Sequence, residues 1–196
     1  MSRDLLRQDE VRALVRDAYA AVDGRSRAVA EKLYSPDELA LVPDAAADRA
    51  LGVGNPFRHA RIRPGDTVLD LGCGGGIDSI LAACRTGPTG RVLALDFLPE
   101  MLERTAAAAR EAGLENVESV EGEMEAIPLP DASVDYVVSN GVVTSRRGRR
   151  GRWQSARACS GPEGSSASRT SPSRTRSCRR RCSRTPRPGP AEWRGR

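Results

Sequence analysis

The stretch VLDLGCGGGID, residues 68–78, runs a short apolar segment into a cluster of glycines and out again into an apolar one. Thr67–Leu71 is almost wholly apolar, as a short strand buried on both faces of a parallel sheet would be. Residues 77–84 carry the apolar spacing of the helix that follows. Glycine between the two lets the backbone turn tightly and lets a ligand approach bare peptide groups.

Outward from this stretch the strand–helix alternation repeats. GPTG (87–90) is a turn out of the helix, and Arg91–Leu95 is a second strand ending at Asp96. Pro99 opens a helix that Gly113 stops, the usual placement of these two residues. Val117–Glu121 is a third, weaker strand, IPLPD (127–131) a loop, and Val134–Ser139 a fourth strand. Strands alternating with helices of this length predict an α/β, Rossmann-like, doubly wound parallel sheet. Upstream, Val11, Leu14, Val15, Ala18, Tyr19 and Val22 form one helical stripe that Gly24 ends. Ser35, Pro36 and Glu38 then form a capping-box pattern at the start of a short helix, and DAAADRAL (44–51) reads as another. Residues 1–60 are therefore expected to form an N-terminal helical cap, and residues 61–144 a partial sheet domain.

The chain has 196 residues and a formal net charge of +5, but that mean joins two unlike segments. Residues 1–144 hold 15 Lys+Arg against 24 Asp+Glu, whereas residues 145–196 hold 16 Arg against two Glu. The second segment contains no Leu, Val, Ile, Phe, Tyr or Met. It cannot bury enough apolar surface to offset backbone ordering, at roughly 1–2 kcal/mol per residue, and is expected to be disordered. No apolar run is long enough to span a membrane. The five cysteines (Cys73, Cys84, Cys159, Cys178, Cys182) form no Cys-x-x-Cys pair and are odd in number, which points to a reduced, cytoplasmic setting without a structural metal. Cys73 and Cys84 read as buried structural thiols. His59, the one histidine, reads as a surface residue of the linker.

The glycine loop narrows the ligand. A triphosphate loop requires Gly-Lys-Ser/Thr, but Ile77 and Asp78 follow Gly76. The dinucleotide pattern G-x-G-x-x-G started at Gly72 fails at Ile77, and started at Gly74 it fails at Ser79. What the stretch does contain is Asp70-x-Gly72-x-Gly74-x-Gly76, with Cys73 inside it. This resembles the first motif of class I S-adenosylmethionine-dependent methyltransferases.

That resemblance implies S-adenosyl-L-methionine as cofactor and assigns further residues. Asp70 faces the cofactor's ammonium group through water. Asp96, followed by Phe97, accepts from the two ribose hydroxyls. Glu123 accepts from the adenine amino group, and Met124 offers a backbone N–H and an apolar side chain. Asn140 stands where the methyl group would point. Taken singly, Asp70 serves equally as a turn cap, Asp96 as an N-cap, Glu123 as a solvated acid and Met124 as packing. Their joint placement at successive strand ends is what carries the assignment.

LGVGNPF (51–57), GPTGRVLALD (87–96), AGLENVE (112–118) and IPLPDASVDYVVSN (127–140) narrow the likeness further, to the arsenite methyltransferase family, over residues 34–143. That family holds trivalent arsenic on thiolates. Its cysteines fall inside G-x-G-N-P and after the Ser-Asn of the fourth strand, where Val53 and Gly141 stand here. The resemblance thus implies a small-molecule acceptor but not arsenite in particular, and no residue stands out as a general base.

In the family, strands continue after the fourth. Here the pattern gives way at Thr144 to the Arg, Gly, Ala, Pro and Ser typical of a GC-rich gene read out of frame. The expectation is a sheet incomplete after its fourth strand and impaired catalysis. The alternatives are a non-catalytic cofactor-binding remnant and a basic-tailed nucleic-acid binder. Against the latter, the tail offers only Trp153 and Trp193 for base stacking, and no folded nucleic-acid module is visible.

Overall fold

The computed structural model describes residues 27–124 and 126–142 and the backbone of residues 160–169. The helix expected over residues 4–22 lies outside the described residues. The cap begins with α1 (Arg27–Leu33), α2 (Pro36–Leu39) and α3 (Asp44–Ala47). Ser35 caps α2 in the way its sequence indicates. The Ser35 hydroxyl accepts from the Glu38 N–H at 3.2 Å, and the Glu38 carboxylate accepts from the Ser35 N–H at 3.0 Å. A one-turn 3-10 helix, Pro56–Arg58, follows, with the Asn55 side chain accepting from the Phe57 N–H.

The sheet domain is built from β1 (Thr67–Leu71), α4 (Ile77–Thr86), β2 (Arg91–Asp96), α5 (Pro99–Glu111), β3 (Val117–Glu121) and β4 (Val134–Asn140). All four strands run parallel in the order β3-β2-β1-β4. Strand order therefore reverses between β1 and β4, and the crevice beyond their carboxyl ends is where this architecture receives ligands.

Alternation along β1 and β2 sorts side chains onto two faces. Val68 and Val92 join a cluster with Ile80, Leu81 and Ala83 of α4 and with Ala30, Tyr34, Ala46 and Phe57 of the cap region. Leu69, Leu71, Leu93 and Leu95 point to the other face, where Ile127, Val134 and Val137 meet them. The cap thus packs on the same side of the sheet as α4 and holds the chain just ahead of β1 in place.

The backbone of β5 (Ser160–Arg169) runs parallel beside β4. Pairing of this kind needs only backbone N–H and C=O groups along an open strand edge. The rest of residues 143–196 lies outside the description. Cys84 is exposed rather than buried. Ala83 and Thr86 fill the core beneath the last turn of α4, and the Asn116 side chain donates to the Ala83 carbonyl, the Thr86 hydroxyl and the Gly87 carbonyl there.

Candidate functional site

The loop between β1 and α4 forms the floor of the crevice. Its start is fastened to β2, because the N–H groups of Gly72 and Cys73 both donate to the Leu95 carbonyl, at 2.8 and 3.0 Å. Gly74 has φ +54°, and a side chain there would meet nothing within 4 Å, while its N–H donates to Asp96 and its carbonyl accepts from the Thr105 hydroxyl. Gly76 has φ +93° and the opposite surroundings: a Cβ would sit 3.1 Å from the Thr105 Cα, which fixes the close approach of α5. The Cys73 thiol is buried, 3.4 Å from the Thr105 hydroxyl. Burial, and then the charge of Asp70, raises its pKa well above the usual thiol value, so it is held protonated and unreactive.

Carboxylates gather around this loop. Asp70 lies 1% exposed on β1, on the α4 side, and accepts from the Ser79 hydroxyl at 2.7 Å. Burial first, and then the charge of Asp78, pushes its carboxyl up to about 8. Asp78, in the first turn of α4, is raised to about 6 by burial, against hydrogen bonds from Tyr34 and Asn140 that favour its charge. Asp96 accepts from the Gly74 N–H at 3.2 Å and the Leu98 N–H at 3.1 Å; burial nevertheless raises its pKa. Among the described residues no lysine or arginine pairs with any of the three. Each buried carboxylate therefore keeps an uncompensated desolvation cost, which a bound cation would relieve.

The sequence-assigned residues fall as follows. Asp70, Gly72, Cys73, Gly74, Gly76 and Asp96 share the crevice, and Phe97 stands half-buried beside Asp96. Glu123 and Met124 follow β3 one strand further out. The Gly122 N–H donates to the Asp96 carbonyl at 3.1 Å, which ties that turn to the tip of β2. The Met124 side chain packs against the leucine face of the sheet. Asn140, at the tip of β4, has both ends of its amide engaged. Its oxygen accepts from the Val53 N–H, and its nitrogen donates to the Gly54 carbonyl, the Tyr34 hydroxyl and Asp78. His59 is exposed, as its linker position suggests.

Tyr34 and Asp78 were not singled out by the sequence. The Tyr34 hydroxyl donates to Asp78 at 2.8 Å across 44 residues of chain. The signal that could have found Asp78 is an acid directly after a glycine cluster, at the start of a helix that Gly76 leaves without a side-chain cap.

Buried acids beside a glycine turn at two strand tips favour a ligand that carries positive charge and hydrogen-bond donors. The sheet order and this site define a class I S-adenosylmethionine-dependent methyltransferase domain.

The family described as "Methyltransferase domain" matches residues 62–160, and the chain belongs to that family. It is 46% identical over 110 residues, 56% of this chain, to an arsenite methyltransferase of Halobacterium salinarum. It is 43% identical over 77 residues, 39% of this chain, to a demethylmenaquinone methyltransferase of Listeria welshimeri. These stretches make up 28% and 33% of the two relatives, so the chain spans about a third or less of the length of the curated proteins it matches. Among solved structures it is similar to an arsenic(III) S-adenosylmethionine methyltransferase from Chlamydomonas reinhardtii. That match has a TM-score of 0.59 and 32% identity, and covers 65% of this chain and 45% of that one. A SAM-dependent methyltransferase from Aquifex aeolicus matches with a TM-score of 0.52 at 25% identity, covering 69% and 68%. Among the described residues no helix is long and apolar enough to cross a membrane.

Proposed function

We propose that this chain binds S-adenosylmethionine in the β1–β2–β3 crevice and is a methyltransferase of small molecules by descent, with weakened turnover. The observation that carries the proposal is the set of buried carboxylates, Asp70, Asp78 and Asp96, around an open glycine loop with no basic partner among the described residues. When bound, the cofactor supplies a methyl group on a positively charged sulfur, open to in-line displacement by the acceptor. The chain's own part is to bind and to orient. Gly72, Cys73, Gly74 and Gly76 present backbone to the amino-acid end. Asp70 balances the ammonium charge, and Asp96 accepts from the ribose hydroxyls beside Phe97. Glu123 and the Met124 backbone take the adenine edge. Holding the two reactants aligned and sheltered from water supplies most of the acceleration such an enzyme needs.

The acceptor side differs from what arsenic requires. A Cβ on Gly141 would lie 3.2 Å from the Leu51 carbonyl and 3.9 Å from the Val53 nitrogen, so positions 53 and 141 adjoin at the mouth. Neither is a cysteine, and Cys73 is buried and protonated. A small molecule that does not need thiolate capture fits better. Residues 145–196 contain no Leu, Val, Ile, Phe, Tyr or Met with which to line an acceptor pocket, and this is the ground for weakened turnover.

Calorimetric titration with S-adenosylmethionine, run beside a methyl-transfer assay with arsenite and with neutral small acceptors, tests both halves. Saturable binding with little or no turnover is expected. Absence of binding by folded protein overturns the cofactor assignment, and brisk arsenite methylation overturns the acceptor assignment.

A further inference from the structure

Asn140 was expected to meet the cofactor, yet both ends of its amide are engaged within the protein and both its N–H hydrogens are taken. The Val53 N–H donates to Oδ1 at 2.9 Å, which settles which end of the amide is oxygen. The two Nδ2 hydrogens are then shared over the Gly54 carbonyl at 2.8 Å, the Tyr34 hydroxyl at 3.0 Å and Asp78 Oδ2 at 3.0 Å. Tyr34 in turn gives its own hydrogen to Asp78 Oδ1. Four segments distant in sequence converge here: the end of the cap helix, the loop 52–54, the first turn of α4 and the tip of β4.

The convergence is tight. A Cβ on Gly52 would fall 2.3 Å from Asn140 Nδ2, so only glycine lets the loop lie across the amide. The contact also reaches the cofactor floor, because a Cβ on Gly72 would fall 2.6 Å from Val142, two residues beyond Asn140. Tyr34 is 5% and Asp78 9% exposed, so water cannot readily replace a lost partner.

We propose that Asn140, Tyr34 and Asp78 form a latch that holds the loop 52–54 against the tip of β4 and so positions the acceptor-side wall of the methyl-transfer mouth. Asn140 is then a positioning residue and not a cofactor contact. The latch rests on the functional assignment above, since a wall has a role only if a cofactor binds beside it. It assigns the cap a task beyond covering the sheet, because Tyr34 is the cap's own contribution.

The test uses the full chain with S-adenosylmethionine as probe. The parent is compared with Tyr34→Phe, which removes one hydroxyl and keeps the ring, and with Asp78→Asn, which keeps the shape and removes the charge. Site-resolved amide exchange is read at Val53, whose N–H the latch holds, and at Leu69 and Leu93 in the core strands. Both variants should speed exchange at Val53 roughly tenfold, the worth of one buried hydrogen bond to a charged partner. Leu69 and Leu93 should be unchanged, which separates positioning from general loss of stability. Cofactor dissociation should quicken several-fold. Unchanged Val53 exchange in both variants, or equal acceleration at all three sites, overturns the latch while leaving the cofactor assignment intact. A parent chain that binds no S-adenosylmethionine overturns the functional assignment, and the latch's role in methyl transfer with it.

Discussion

Replacing Asp70 by Asn should stabilise the protein and abolish its cofactor binding. Asp70 is fully enclosed, and burial together with the charge of Asp78 lifts its carboxyl from an ordinary 3.8 to about 8. An acid whose folded pKa exceeds its unfolded value holds its proton more tightly when folded. Stability is therefore greatest at low pH and falls as pH rises from about 4 toward 8. At about 1.4 kcal/mol per pH unit, the penalty attached to this one group is on the order of a few kcal/mol at pH 7 and smaller at pH 5. Asparagine carries no such penalty, and its oxygen can still accept from the Ser79 hydroxyl. Asp78 shares the buried site and retains part of the effect, so the variant's advantage should grow by about 1–3 kcal/mol between pH 5 and pH 7. In thermal unfolding that is a gain of roughly 2–10 °C that appears at pH 7 and shrinks at pH 5. Calorimetry on the same samples should show S-adenosylmethionine binding lost or weakened at least tenfold. A gain equal at both pH values, a loss at pH 7, or undiminished binding would refute the claim that an uncompensated buried carboxylate is kept here for a cationic ligand.

Asp96→Asn leaves the Leu98 N–H an acceptor but removes the charge and one of two acceptor oxygens. Cofactor affinity should fall roughly 10- to 100-fold by calorimetry with little change in melting temperature. Gly76→Ala forces a side chain onto φ +93° and to within 3.1 Å of the Thr105 backbone, and should cost roughly 1–3 kcal/mol in chemical unfolding. Ser35→Ala removes the hydroxyl half of the capping box on α2, leaving the Ser35 N–H on the Glu38 carboxylate, and should lower stability by about 1 kcal/mol, read as a shift in the urea midpoint. A midpoint that does not move would mean that α2 is held by packing alone.

The parallel sheet could be read from residues 67–140 because each strand announces itself locally. The glycine cluster, Pro99 and Gly113 mark boundaries by backbone chemistry, and the structure starts or stops helices beside each of them. The positions of Asp70 and Asp96 near the ends of β1 and β2 were legible for the same reason. The Tyr34–Asp78–Asn140 cluster was not, since its hydrogen bonds span 44, 62 and 106 residues and no local period encodes them. Cys84 was misread because it sits on the helical stripe in sequence but over a last turn whose core is already filled by Ala83 and Thr86.

Cofactor binding and turnover need not stand or fall together in such a chain. The carboxylates and glycines proposed to face the cofactor lie between residues 70 and 124, on elements whose two apolar faces are filled from the cap, α4, α5 and the loop that includes Ile127. That region can hold its geometry whatever follows β4. The acceptor side depends on β4, whose tip is paired to β1 through Ser139 and holds the loop 52–54 through Asn140, and on whatever lines the crevice beyond Val142. Weakening there should cost cofactor binding no more than several-fold, because Asp70 and Asp96 keep their positions. What it removes is the alignment of acceptor and methyl group, where a displacement of about 1 Å costs on the order of 100-fold in rate. On the proposed function, binding should therefore outlast turnover, and a variant that restored an apolar wall after β4 should recover rate before it changes cofactor affinity.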